Sequence, residues 1–182
     1  MRLTRCSSAE IPSTGRRVSW TAALAAAAAL GLAGNGNAVA VAHGEATALF
    51  CFGTIALNVN EVSGAISGHG NLTCDEPDGP RHSATIRVSG AVLGTSGLVT
   101  RISTSDTISY DDGLTSAIDV TSRLEKLSSG QHGNARGTGS GQVSDGRFVD
   151  SSESEQANGT FATGVGGTTT YRFTDFSFSL DR

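Results

Sequence analysis

The chain has 182 residues, 13 basic and 17 acidic side chains, and 24 glycines, with aromatic residues at 5%. Abundant Gly, Ser and Thr beside scarce Lys, Glu and Leu exclude an architecture of long helices. A net charge of −4 excludes nucleic acid and an anionic membrane surface as partners, because both require clustered Lys and Arg.

At the N-terminus, Arg2, Arg5, Arg16 and Arg17 lead into an alanine- and leucine-rich run from Ala22 to Ala33. Two small-residue sites follow, Ala38-Val39-Ala40 and Ala40-Val41-Ala42, which is the order of a secretory signal. Residues 1–42 are therefore read as a removed export signal, and residues 43–182 as a single secreted all-β domain. The apolar run is shorter than the roughly 20 residues needed to cross a bilayer. Asn35 stands where a lipoprotein needs its cysteine, so no membrane anchor is predicted. Arg16-Arg17 leaves the general secretory and twin-arginine routes both open. Processing would leave nine basic against 16 acidic residues, about minus seven, and remove Trp20 and Cys6. It leaves one lysine, Lys126, and one cysteine pair, Cys51 and Cys74.

The first strand is predicted over Leu49 to Val59 and the second over Gly64 to Cys74, each alternating apolar with polar residues. A hairpin turning near Val62-Ser63 places Val59 opposite Ile66, Gly53 opposite Leu72 and Cys51 opposite Cys74. All three pairs share a face, so an exported chain is expected to close a Cys51–Cys74 disulfide. Asp75 to His82 holds two prolines and a glycine and is read as a loop. Further strands follow at Ala84 to Leu93, Leu98 to Tyr110 and Ser116 to Lys126, with Asp111-Asp112-Gly113 as a tight turn between the last two.

Asn134 to Val143 alternates Gly137, Gly139 and Gly141 with polar residues and reads as a weakly packing strand. Arg147 to Gln156 and Gly159 to Thr163 read as two short segments. In the final strand, Thr168 to Leu180, a bulge at Thr174-Asp175 would bring Tyr171, Phe173, Phe176, Phe178 and Leu180 to one side. The total is about nine strands in an antiparallel meander, closed as a β-barrel or flattened as a β-sandwich.

The placement of Cys51 in the first strand, Gly-x-Gly-x-Leu-Thr-Cys at residues 68 to 74 and Gly-x-Val-x-x-Gly-x-Phe at 141 to 148 resembles small secreted glycine- and threonine-rich proteins of actinobacteria. The resemblance implies an all-β secreted domain and supplies no site.

Candidate chemistry is sparse. His69, Asp75, Glu76, Asp78 and His82 cluster in sequence, but their spacing matches no metal motif, and His69 has the opposite strand parity from Cys74. They read as a solvated acidic loop, and neither a metal nor a cofactor is expected. Gly137-Thr138-Gly139-Ser140-Gly141 does not form the Gly-x-Ser-x-Gly elbow of a serine hydrolase. Glu153 and Glu155 lie in a polar tract and read as surface charge. Phe50 and Phe52 occupy the face opposite Cys51; they mark a partner surface if exposed, or pack beneath another sheet or the final aromatic strand if not. The functional expectation is a secreted, non-catalytic domain that binds an extracellular protein, a glycan or a small apolar ligand. A barrel-type enzyme with an unidentified site is the competing reading, which a polar-lined cavity holding His69 or His82 beside a carboxylate would favour.

Overall fold

The structure is a computed structural model describing residues 46–182. The export segment, with Trp20 and Cys6, lies outside the described residues. Eight strands run β1 (Thr47–Asn60), β2 (Ala65–Asp75), β3 (Arg81–Ser96), β4 (Val99–Tyr110), β5 (Thr115–Lys126), β6 (His132–Gly146), β7 (Ser152–Thr163) and β8 (Thr168–Asp181). Each pairs antiparallel with its sequence neighbours, and β1 pairs with β8, so the meander closes into a barrel. Closure removes both sheet edges and decides between the barrel and the sandwich.

Eight strands replace the predicted nine because Ser152 to Thr163 is continuous. The sequence predicts one segment ending at Gln156 and another beginning at Gly159. Instead, β7 there crosses the β8 bulge, and a side chain at Gly159 would meet the carbonyl oxygen of Arg172. Arg147 to Ser151 is the connection between β6 and β7 rather than the start of a strand.

The first hairpin has the predicted register, with Val59 opposite Ile66, Gly53 opposite Leu72 and Cys51 opposite Cys74. A disulfide joins Cys51 and Cys74, 23 residues apart in sequence. A loop of that length lowers the entropy of the unfolded chain enough to stabilise the fold by about 3 kcal/mol.

Alternation puts the apolar residues inside and Ser, Thr and charged residues outside. The final strand adjusts its phase as predicted: its register slips between Phe173 and Phe176, and Tyr171, Phe173, Phe176, Phe178 and Leu180 are all buried. The polar exterior and apolar interior are the reverse of a lipid-facing barrel. Among the described residues, no helix is long and apolar enough to cross a membrane.

Candidate functional site

The barrel interior contains three carboxyl groups. β4 turns Thr100, Ile102, Thr104, Asp106, Ile108 and Tyr110 inward, and β7 turns Glu153, Glu155, Ala157 and Phe161 inward. Asp106 and Glu153 are each only 5% exposed. The reading of Glu153 and Glu155 as surface charge is therefore corrected. The phase of β7 is set by Ala157 and Phe161, and it carries both glutamates to the inside.

β6 makes the space for them. Its inward positions include Gly137 and Gly139, and a Cβ at Gly139 would collide with the Glu155 carboxylate and the Ser122 hydroxyl. Ser122 Oγ donates a hydrogen bond of 2.5 Å to Glu155 Oε1. The glycine alternation that made this strand look weak is what admits a long acidic side chain from the neighbouring strand.

Asp106 and Glu155 line a small interior cavity with Thr104, Ser122, Phe173 and Phe176, closed by aliphatic side chains including Leu57 and Leu124. Its open space is about 20 Å³, enough for about one water-sized group. Asp106 Oδ1 and Glu153 Oε2 are buried without a hydrogen-bond partner. Burial pushes the Asp106 carboxyl up to about 7; the Thr104 hydroxyl opposes this, while the charges of Glu155 and Asp119 add to it. Burial, followed by the charges of Glu155 and Asp106, also raises Glu153. Glu155 is raised by burial, against the Ser122 hydrogen bond. The interior thus holds carboxyl groups biased toward their neutral, proton-donating form.

A second cluster closes the barrel end where β2–β3, β4–β5 and β6–β7 turn. His82 is buried at the start of β3, not in a solvated loop as the sequence suggested. Pairing of His82 with Cys74 places both in the inward phase. Its Nδ1 lies 3.1 Å from Asp111 Oδ1 and its Nε2 lies 3.2 Å from Glu76 Oε1. The Ser83 N–H and then His82 hold the Asp111 carboxyl below its ordinary value.

Arg147 bridges the same loops, contacting Glu76 and donating to Asp112 Oδ2 at 2.7 Å. Its guanidinium also lies over the rings of Tyr110 and Phe148, at 5.5 and 5.1 Å. Phe148 and Asp150 adopt positive φ, 64° and 68°. Such backbone costs about 1 kcal/mol or more per residue; here the buried Phe148 ring seals the end.

The remaining predicted residues separate. His69 is outside, opposite Ala56 and Arg87. Asp75 pairs with Arg81 at 2.6 Å, and Asp78 belongs to the exposed turn. Among the described residues, no group of three or more His, Cys, Asp or Glu is arranged to hold a metal ion. Phe50 and Phe52 stand on the outer surface, 44% and 40% exposed, with ring centres 6.1 Å apart. They do not pack beneath another sheet.

Asp106 was missed in the sequence, although the signal was present: it shares strand parity with Ile102, Ile108 and Tyr110. No family model matches the chain, and neither a curated protein nor a solved structure matches it.

Proposed function

We propose that this is an exported, non-catalytic binding domain that takes a small ligand into the barrel interior. The observation that carries the reading is the unpartnered Asp106 carboxyl oxygen, buried in a cavity whose other walls are largely apolar. Burying carboxyl groups without counter-cations opposes folding, so their presence in a filled core is best accounted for by a ligand they contact. The open space of about 20 Å³ suits a ligand group no larger than water, and the carboxyl groups select a polar one.

Binding is favoured over catalysis by where the histidine lies. His82 is hydrogen-bonded to Asp111 at the rim, whereas Asp106 lies four residues along β4 from Tyr110, the ring His82 packs against. Among the described residues, no imidazole stands beside the interior carboxyls to exchange protons with them. Export is supported by the basic and apolar N-terminal pattern and is compatible with the disulfide.

The test is a panel of small polar compounds and ions added to ¹⁵N-labelled protein. Amide shifts centred on Thr104, Asp106, Ser122 and Gly139 are expected. No interior shifts with any compound would contradict the reading.

A second reading, docking of an extracellular protein or glycan, is favoured by the exposed Phe50–Phe52 pair. It predicts that replacing both with Ser abolishes partner capture while leaving the interior response intact. Capture unchanged by the double substitution would contradict it.

A further inference from the structure

We propose that the interior cavity binds one monovalent cation stripped of its water shell, held by Asp106, Glu155, Thr104 and Ser122. This rests on the interior-binding reading and assigns the ligand's chemistry. Asp106, only 5% exposed, lines the cavity and keeps one carboxyl oxygen without a partner. Ser122 Oγ donates its proton to Glu155 Oε1, so toward the cavity it offers only lone pairs. All four polar side chains of the lining end in oxygen, the donor set of a hard cation.

Size and charge select a single small ion. The open space of about 20 Å³ admits about one water-sized group, so the occupant leaves its hydration shell outside. Ca²⁺ takes about six to eight oxygen ligands, and Mg²⁺ keeps several of its waters. Four oxygen-bearing side chains and room for one occupant meet neither demand. A monovalent ion gives up its water at less cost, because Born solvation grows with the square of the charge. A neutral water fits the same space but supplies no charge to offset the carboxyls.

Proton balance follows from the surroundings of Asp106. Glu155 and, beyond it, Glu153 face it from β7, while β5 contributes the Ser122 hydroxyl inside and Asp119 outside. The directly paired positions, Val88 on β3 and Ile118 on β5, carry no charge. β1 presents Ile55 and Leu57, β6 presents glycine, and β8 presents phenylalanine. Lys126 and Arg147 are engaged by Glu61, Glu76 and Asp112 at the rims, and neither lines the cavity. The cation enters as one carboxyl proton leaves to water, and the charge of the site is unchanged.

The experiment uses ¹⁵N-labelled protein at pH 6, where Asp106 is mostly protonated. Tetramethylammonium chloride, equal in charge but too large for the cavity, is replaced stepwise by potassium, sodium or ammonium chloride at constant ionic strength. At least one of these small ions is expected to shift the amides of Thr104, Asp106, Ser122 and Gly139 saturably. Close to one proton should be released per ion bound, recorded by titration of unbuffered protein. Asp106→Asn should weaken that ion by about tenfold or more, since a buried charge-assisted contact is lost. Glu155→Gln should produce a loss of the same kind, so the result does not depend on one variant folding. Small-ion binding unchanged in a folded variant, or magnesium or calcium binding more tightly at the same amides, overturns the assignment. If neutral compounds of the wider panel shift these amides and no ion does, the cation falls and interior binding stands. If nothing shifts them, the cavity holds trapped water only and both readings fall.

Discussion

At the residue scale the decisive groups are the inward carboxyls. Asp106 is raised to about 7 by burial, while an unfolded aspartate titrates near 4. Between about pH 4 and 7 the native state therefore binds more protons than the unfolded chain, and stability falls as pH rises through that window. The glutamates, also raised, extend the decline to higher pH. Urea denaturation should give a higher midpoint at pH 5 than at pH 8.5, and Asp106→Asn should shrink that difference. A midpoint that rises with pH would contradict the burial of these groups.

The same three side chains mark where the sequence was legible and where it was not. Cys51 and Cys74 could be paired because apolar neighbours on both strands fixed the register. Asp106 is a charged residue at an inward position of a strand whose phase was already readable. It was overlooked because the face was judged by its apolar members alone. Glu153 and Glu155 were harder, since the Ser and Glu tract around them has no apolar residue before Ala157 to reveal which side faces in.

At the element scale, the glycines of β6 and the glutamates of β7 are one feature. Gly139→Ala would push the new methyl into the Glu155 carboxylate and the Ser122 hydroxyl. The expected cost is about 1–3 kcal/mol. Adding Glu155→Ala should recover part of it, so the double variant should be more stable than the sum of the two single effects implies. Simple additivity in urea denaturation would show that Gly139 and Glu155 are not in contact. This reciprocity crosses strands and depends on the β6–β7 register, with Gly139 opposite Glu155, which no single segment displays. The β8 bulge was legible because five large apolar residues in two phases demanded it.

The loops at the His82 end form another unit. His82, Asp111, Glu76, Asp112 and Arg147 tie three turns together. His82→Ala should speed amide exchange in the turns around Glu76, Asp111 and Arg147 and leave residues near Thr104 protected. Equal acceleration throughout the barrel would indicate that His82 supports the whole fold instead.

For the whole molecule, an up-and-down closed barrel has two ends, and its interior is reached through them. One end is sealed by Phe148 under Arg147. At the other, Lys126 donates to Glu61 Oε1 at 3.1 Å and lies over Phe161. Both basic residues are held at the rims by acidic partners, leaving the interior carboxyls without a cation. Closure also explains the division of surfaces: polar outside, apolar within, with Phe50 and Phe52 as an exposed aromatic pair on β1. Barrel closure was one of two outcomes allowed by the meander, because pairing of the first strand with the last leaves no mark in local alternation.

The central claim is that carboxyl groups stand inside this barrel in unionised form, available to a ligand. Its most direct test is a ¹³C NMR titration of the side-chain carboxyl carbons, assigned through Asp106→Asn, Glu153→Gln and Glu155→Gln. The account predicts a midpoint of about 7 for Asp106, with both glutamates above the ordinary carboxylate range. All three titrating near pH 4, as solvated carboxylates do, would contradict it.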